Sequence, residues 1–78
     1  MPMPEPTPFV LRGEHITLDA LLKATGLAES GGAAKLLIAG ATVQVNAEVE
    51  TRRGRKLRAG DEVAVGAARV RVQAPGVP

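Results

Sequence analysis

The residues best suited to chemistry lie in one short basic segment of the chain. Five cationic side chains fall within seven positions, with no acidic residue between them: Arg52, Arg53, Arg55, Lys56 and Arg58. A guanidinium group matches the geometry of a phosphate and can donate two parallel hydrogen bonds to it. Like charges this close repel one another unless an anionic partner offsets the repulsion. The segment therefore indicates a polyanion site, and the alternative is a solvated loop that only keeps the chain soluble.

The distribution of charge also indicates a local patch. The net charge is +2, but residues 1–40 carry three basic and four acidic side chains, whereas residues 41–78 carry seven and four. The first part is therefore at −1 and the second at +3. An asymmetry of this kind is typical of domains that meet a nucleic acid.

A second candidate site is the stretch Ser30-Gly31-Gly32. Serine is a preferred helix N-cap, and glycines after it leave the first amides of the helix uncovered, as anion binding requires. The alternative is that the two glycines allow close packing against the preceding helix, and Glu29 next to them would repel an anion. Lys35, further along the same helix, joins such a site only if other cations lie near it.

The aromatic content narrows the kind of nucleic acid. Phe9 is the only aromatic residue, and we place it in the core. Proteins that read single strands stack unpaired bases on aromatic faces. Binding is therefore expected through phosphates, sugar hydroxyls and the shape of a structured or double-stranded RNA.

The composition offers little to an enzyme or a metal site. His15 is the only histidine, Ser30 is the only serine, and there is no cysteine. A nucleophile with its base, a metal-ligand set and a disulfide framework are all absent from such a sequence. We expect a non-catalytic, monomeric, cytoplasmic protein without cofactor, metal, membrane contact or small-molecule substrate.

Two short helices are predicted to position the first half of the chain. One begins at Thr17, whose side chain is expected to cap it, and ends at Gly26. The other begins at Ser30 and ends at Gly40. Before them, residues 9–12 (FVLR) are predicted to form a short strand.

After Gly40 apolar residues occur at every second position instead of at helical spacing, which predicts a small sheet. At Asn46-Ala47 a two-residue turn would pair Val45 with Glu48, whereas a three-residue loop would keep Val45 and Val49 on one face. We predict the odd-length loop. Further turns are predicted at Gly60-Asp61 and at residues 66–68, so the basic segment crosses between strands.

The length fits a single domain. Every second residue of the segment 1–8 is proline, and this segment is predicted to be a disordered tail. Residues 9–73 form the predicted domain, and residues 74–78 form a C-terminal tail.

Three segments together resemble a known family. They are LDALL (18–22), TGLAESGGAAKLLI (25–38) and VQVNAEVETRRGRKLRAGDEV (43–63). In order and spacing they are similar to the RNA-binding S4 domain, and most of all to its stand-alone bacterial YbcJ-like branch.

The resemblance implies an α+β fold in which two short helices, the alpha-L motif, pack on a small, mostly antiparallel sheet. It implies one RNA-binding surface made of the second helix and the strand loop, with Ser30, Gly31, Gly32, Lys35, Asn46 and the five cations above as candidate contacts. Thr17 and Gly31 stand where many relatives have arginine, and Ala41 and Ala47 stand where the family pattern has glycine. Most of the RNA contacts are therefore expected from the basic segment. The hypothesis is a protein that binds structured RNA, with ribosomal RNA as a candidate; the alternative is an adaptor that docks an acidic protein on the same patch.

Overall fold

Two helices pack on a five-stranded sheet in the computed structural model, which describes residues 5–76. The elements in chain order are β1 (Thr7–Val10), β2 (Ile16–Thr17), α1 (Leu18–Ala24), α2 (Gly31–Ala39), β3 (Val43–Val45), β4 (Glu48–Val49), β5 (Lys56–Leu57), β6 (Glu62–Val65) and β7 (Ala68–Gln73). The sheet order is β1-β7-β6-β3-β4; β1 runs parallel to β7, and the other neighbours are antiparallel. A separate two-stranded ladder joins β2 to β5. The predicted α+β fold is confirmed.

The core lies between the apolar face of helix α1 and the apolar face of the sheet. Leu18, Leu21 and Leu22 share one face of α1 and are fully buried, as their spacing predicts. In the strands every second residue points inward, so Val43 and Val63 are fully buried while their neighbours face outward. The basic segment is anchored to this core by Leu57, which is also fully buried.

The start of α1 differs from the prediction. Thr17 is the N-cap residue, but its side chain makes no capping hydrogen bond. The first free amides donate instead to backbone carbonyls of the basic segment, Leu18 N to Arg55 O at 2.9 Å and Asp19 N to Arg53 O at 3.1 Å. A tertiary contact therefore satisfies the amides that a local cap was expected to satisfy.

The other helix boundaries follow the prediction. The Ser30 hydroxyl accepts a hydrogen bond from Ala33 N at 3.1 Å, so it caps α2, and Gly40 is the C-cap residue. After α1, Gly26 has a φ of +79°, a left-handed conformation that glycine adopts without strain.

The prediction of an odd-length loop between β3 and β4 is wrong. Val45 pairs with Glu48 and Gln44 with Val49, so the connection is the two-residue turn Asn46-Ala47. Both turn residues have positive φ, 52° and 70°, as a type I′ turn requires. Val49 consequently leaves the core face and is 53% exposed. The twist of the hairpin, rather than the pattern of valines, sets its register.

Ala47→Gly is expected to stabilise the protein by about 0.5–1 kcal/mol, because an alanine in the left-handed region is strained and glycine is not. Thermal unfolding monitored by circular dichroism measures the change. Ala67→Gly is the matched control: Ala67 lies in the two-residue connection between β6 and β7 but has no positive φ. There the glycine should only add unfolded-state freedom and lower stability. A loss of stability in Ala47→Gly would contradict the turn.

The ends of the domain show two smaller differences. β1 begins at Thr7, two residues before the predicted strand, and ends at Val10. The last predicted turn is shorter than expected, because Ala68 already belongs to β7. The tail predictions for residues 1–4 and 77–78 fall outside the described residues. Within residues 5–76, neither helix has the length and apolar character to cross a membrane.

Candidate nucleic-acid interface

The basic segment, residues 52–58, is fixed to the rest of the domain at three places. Its β5 portion pairs with β2, with Thr17 opposite Lys56. Its carbonyls at Arg53 and Arg55 cap α1. Its end is held by Asp61, whose carboxylate accepts from Arg58 N at 2.8 Å. The segment therefore has a defined backbone path rather than that of a free loop.

Glu50 contributes an acidic partner that the sequence analysis missed. Its side chain is buried, and its carboxylate accepts hydrogen bonds from Arg52 Nε at 2.8 Å and from Arg55 Nη1 at 3.1 Å. Arg52 also donates through its backbone N at 3.2 Å and through Nη2 at 3.4 Å. Two of the five cations are therefore already paired, although no acid lies between them in the sequence.

The hydrogen bonds from Arg52, joined by the one from Arg55, lower the pKa of Glu50 from 4.5 to about 2 against the opposing effect of burial. A lowered carboxyl pKa gives stability that is fully present above about pH 4.5 and is lost as the pH falls towards 2.

Glu50→Gln is expected to lower the melting temperature at neutral pH, and the gap from the unmodified protein should shrink between about pH 4.5 and 2. Melting curves of the two proteins over that range measure it. A gap that stays constant with pH would contradict the ionised, paired state of Glu50.

The remaining three cations of the segment are available to a partner. Arg53, Lys56 and Arg58 are exposed, and within residues 5–76 their side chains make no hydrogen bond or ion pair. Arg52 remains accessible despite its pairing, with 74% of its side chain exposed, against 34% for Arg55. The segment thus presents a mixture of free and held cations.

Asn46 is connected to the end of the basic segment. Its amide nitrogen donates to Asp61 Oδ1 at 3.0 Å, and its amide oxygen accepts from Glu62 N at 3.0 Å. Asp61 also holds Arg58, so one carboxylate links the β3–β4 turn to the segment. Both polar ends of Asn46 serve this link, which makes it a positioning residue for the surface.

The start of α2 is exposed at Ser30, Gly31, Gly32 and Lys35. A Cβ on Gly31 would meet no atom within 4 Å, and one on Gly32 would meet only Ser30 Oγ at 3.8 Å. The alternative that these glycines permit close packing against α1 is therefore wrong. No neighbouring atom requires glycine at these two positions. Without side chains there, the amides at the start of α2 stay uncovered.

No hydrogen bond or ion pair within residues 5–76 joins the α2 start or Lys35 to the basic segment. Helix α1 connects the two regions instead, since it packs against α2 and is capped by the segment. Their use as one surface stays a prediction.

Two further arginines lie on the outer face of β7. Arg69 and Arg71 contact the carboxylate of Glu62 at 3.3 Å and 3.6 Å. The single negative charge of Glu62 therefore compensates one of these two positive charges within the sheet. Among residues 5–76 there is also no cluster of three or more histidine or acidic side chains able to hold a metal ion.

Comparison with known proteins identifies the family. The S4 domain model matches residues 9–73. The chain belongs to the S4 domain family. This S4 domain is 43% identical over 58 residues to the probable ribosome maturation protein RlbA of Bacillus subtilis, an alignment that covers 74% of this chain and 82% of that protein. It is also 43% identical over 60 residues to the putative RNA-binding protein YbcJ of Escherichia coli, which covers 77% of this chain and 86% of YbcJ.

A solved structure extends the comparison. The solution structure of Escherichia coli YbcJ, described as revealing an αL motif involved in RNA binding, matches this S4 domain with a TM-score of 0.70 and 39% identity over 95% of each chain. The resemblance predicted from the helix and strand segments is confirmed.

Proposed function

We propose that this chain is a non-catalytic RNA-binding protein that contacts structured RNA, with ribosomal RNA as the first candidate. The observation that carries the proposal is the set of three exposed, unpaired cations, Arg53, Lys56 and Arg58, on a backbone fixed to the core. The names of two relatives support it, since one is called a putative RNA-binding protein and the other a probable ribosome maturation protein.

The rigidity of the segment favours structured RNA over a flexible strand. The phosphates of a folded RNA hold fixed positions, and cations on a defined backbone can match them at a smaller entropic cost, because the backbone of the segment does not have to be ordered at binding. Phe9, the only aromatic residue, is half-buried and packs against the core, so a single, partly covered ring is all that this chain has for stacking unpaired bases.

The α2 start is proposed as the second part of the interface. The amides before Ala33 are uncovered by side chains, and Lys35 adds an exposed cation on the same helix. Because α1 contacts both α2 and the basic segment, a single RNA helix lying across α1 would reach the two groups of contacts.

Binding of a fluorescent RNA hairpin, followed by anisotropy from about 50 to 300 mM salt, tests the proposal. If about three to five phosphates are engaged, log affinity should fall with log salt at a slope of roughly −2 to −4.5. Duplex DNA of the same length should bind more weakly if sugar hydroxyls are read. A complex insensitive to salt would contradict the mechanism.

Crosslinking in cells followed by sequencing of the bound RNA identifies the target, and reads concentrated in ribosomal RNA are the expected result. A pull-down with and without nuclease separates the adaptor alternative. Partners that persist after nuclease treatment would favour protein docking and count against the proposal.

A further inference from the structure

Glu50 is the only buried charged residue among residues 5–76. On charge alone it opposes the proposed binding, since it neutralises part of the cluster that would meet phosphates. A segment that needed only positive potential would be stronger without it. Its position therefore calls for another role.

The geometry of the contact leaves both arginines usable. Glu50 engages Nε and Nη2 of Arg52 and Nη1 of Arg55. Within the described part of the chain, Nη1 of Arg52 and both Nε and Nη2 of Arg55 make no hydrogen bond to protein atoms. Each guanidinium is thus held by one edge and can donate from another to an external oxygen.

Glu50 is itself fixed to the sheet. Its backbone N donates to Val43 O at 3.0 Å, which fixes the backbone of Glu50 beside β3. On the other side, the carbonyl of Arg55 caps α1. Two long side chains that would otherwise sample many rotamers are therefore oriented relative to the sheet and α1 before any ligand binds.

We propose that Glu50 is a positioning residue that makes binding depend on the arrangement of phosphates rather than on their density. This inference rests on the proposed RNA-binding function. Folded RNA, with phosphates at fixed positions, gains from oriented cations because their ordering is complete before binding. A flexible polyanion adapts to cations in any arrangement, so it gains more from additional free charge.

The test compares two ligands, a stable RNA hairpin and single-stranded polyuridine of equal length, in wild type and Glu50→Gln. The variant is expected to bind the hairpin about 3- to 10-fold more weakly and polyuridine about 3-fold more tightly. The ratio of the two affinities should therefore fall by about 10-fold or more. The salt slope for polyuridine should steepen by roughly 0.7 to 1.4, as one or two further phosphates are engaged.

Glu48→Gln is the matched control. Glu48 is exposed, lies two residues earlier and contacts neither arginine, so the same change in net charge should leave the ratio unaltered. If Glu50 had a purely structural role, Glu50→Gln would weaken the binding of both ligands to the same extent.

Arg52→Lys provides a second test that leaves Glu50 and Arg55 in place. Lysine keeps the charge but cannot form the two-pronged contact, so the ratio should fall in the same direction by about 2- to 5-fold. This variant decides the matter if Glu50→Gln does not fold, as judged by its circular dichroism.

The outcomes separate the two proposals. If the wild type binds neither ligand, the proposed function fails. If the wild type prefers the hairpin and both Glu50→Gln and Arg52→Lys keep that preference, the positioning role fails while the RNA-binding function stands.

Discussion

Replacing Arg53, Lys56 and Arg58 together with glutamine is expected to weaken binding to a folded RNA by about 100-fold at 0.1 M salt. Each phosphate contact contributes roughly 0.7 to 0.9 to the slope of log affinity against log salt, so three contacts amount to about 2 to 2.7. The side chains are exposed and make no hydrogen bond or ion pair within residues 5–76, so the fold should be retained. Anisotropy titrations at several salt concentrations measure both quantities.

A variant with the same change in net charge elsewhere is the control. Arg12 and Arg71 are exposed and lie outside the basic segment and outside both helices. Arg12→Glu combined with Arg71→Gln changes the net charge as much as the triple variant does. It should leave the salt slope nearly unchanged, because charges more than a Debye length from the RNA are screened. Equal weakening by both variants would show that total charge, and not this segment, drives binding.

The choice of residues matters for the interpretation. Removing the side chains of Arg52 and Arg55 instead would deprive the buried Glu50 carboxylate of all its side-chain hydrogen-bond donors and leave it only the backbone N of residue 52. Loss of binding in such a variant would combine lost phosphate contacts with a disturbed segment. The unpaired cations give the cleaner measurement.

Leu57→Ala is expected to destabilise the domain by about 2–5 kcal/mol, because a fully buried leucine leaves a cavity in addition to lost apolar burial. Small domains are stable by about 5–15 kcal/mol, so this is a large part of the total. For a chain of this size the melting temperature should fall by at least about 8 °C. Differential scanning calorimetry measures the change.

Leu36→Ala is the control for this substitution. Leu36 is 75% exposed on α2, so its truncation should change stability by no more than about 0.5 kcal/mol. Similar effects of the two substitutions would contradict the placement of β5 in the core. Since Leu57 lies between Lys56 and Arg58, its loss should also weaken RNA binding under conditions where the protein is still mostly folded.

Local signals predicted the helices and the fold class well. The Ser30 cap and the stops at Gly26 and Gly40 depend on hydrogen bonds and backbone angles within a few residues, and these are readable in a sequence. The spacing of the leucines in α1 likewise gave the buried face directly. The exposed basic segment was visible as a run of like charges.

The wrong predictions concern two kinds of interaction. One joins elements that are distant in the chain, and the other joins a strand to its turn. Thr17 was expected to cap α1, but the carbonyls that do so come from residues more than thirty positions later. Val49 was placed in the core because it is apolar, yet the turn at Asn46-Ala47 shifts it to the outer face. Apolar residues on a surface are common, so apolarity alone did not fix the register.

The sequence by itself determined that this protein has two short helices, the second capped by Ser30, an alternating sheet and a concentrated run of cations in an S4-like order. Only the tertiary structure decided which cations are free and which are held. That division depends on the burial of Glu50 and on its distances to Arg52 and Arg55. Charge is a property of each residue, whereas burial and pairing arise only when β3, α1 and the basic segment come together in space.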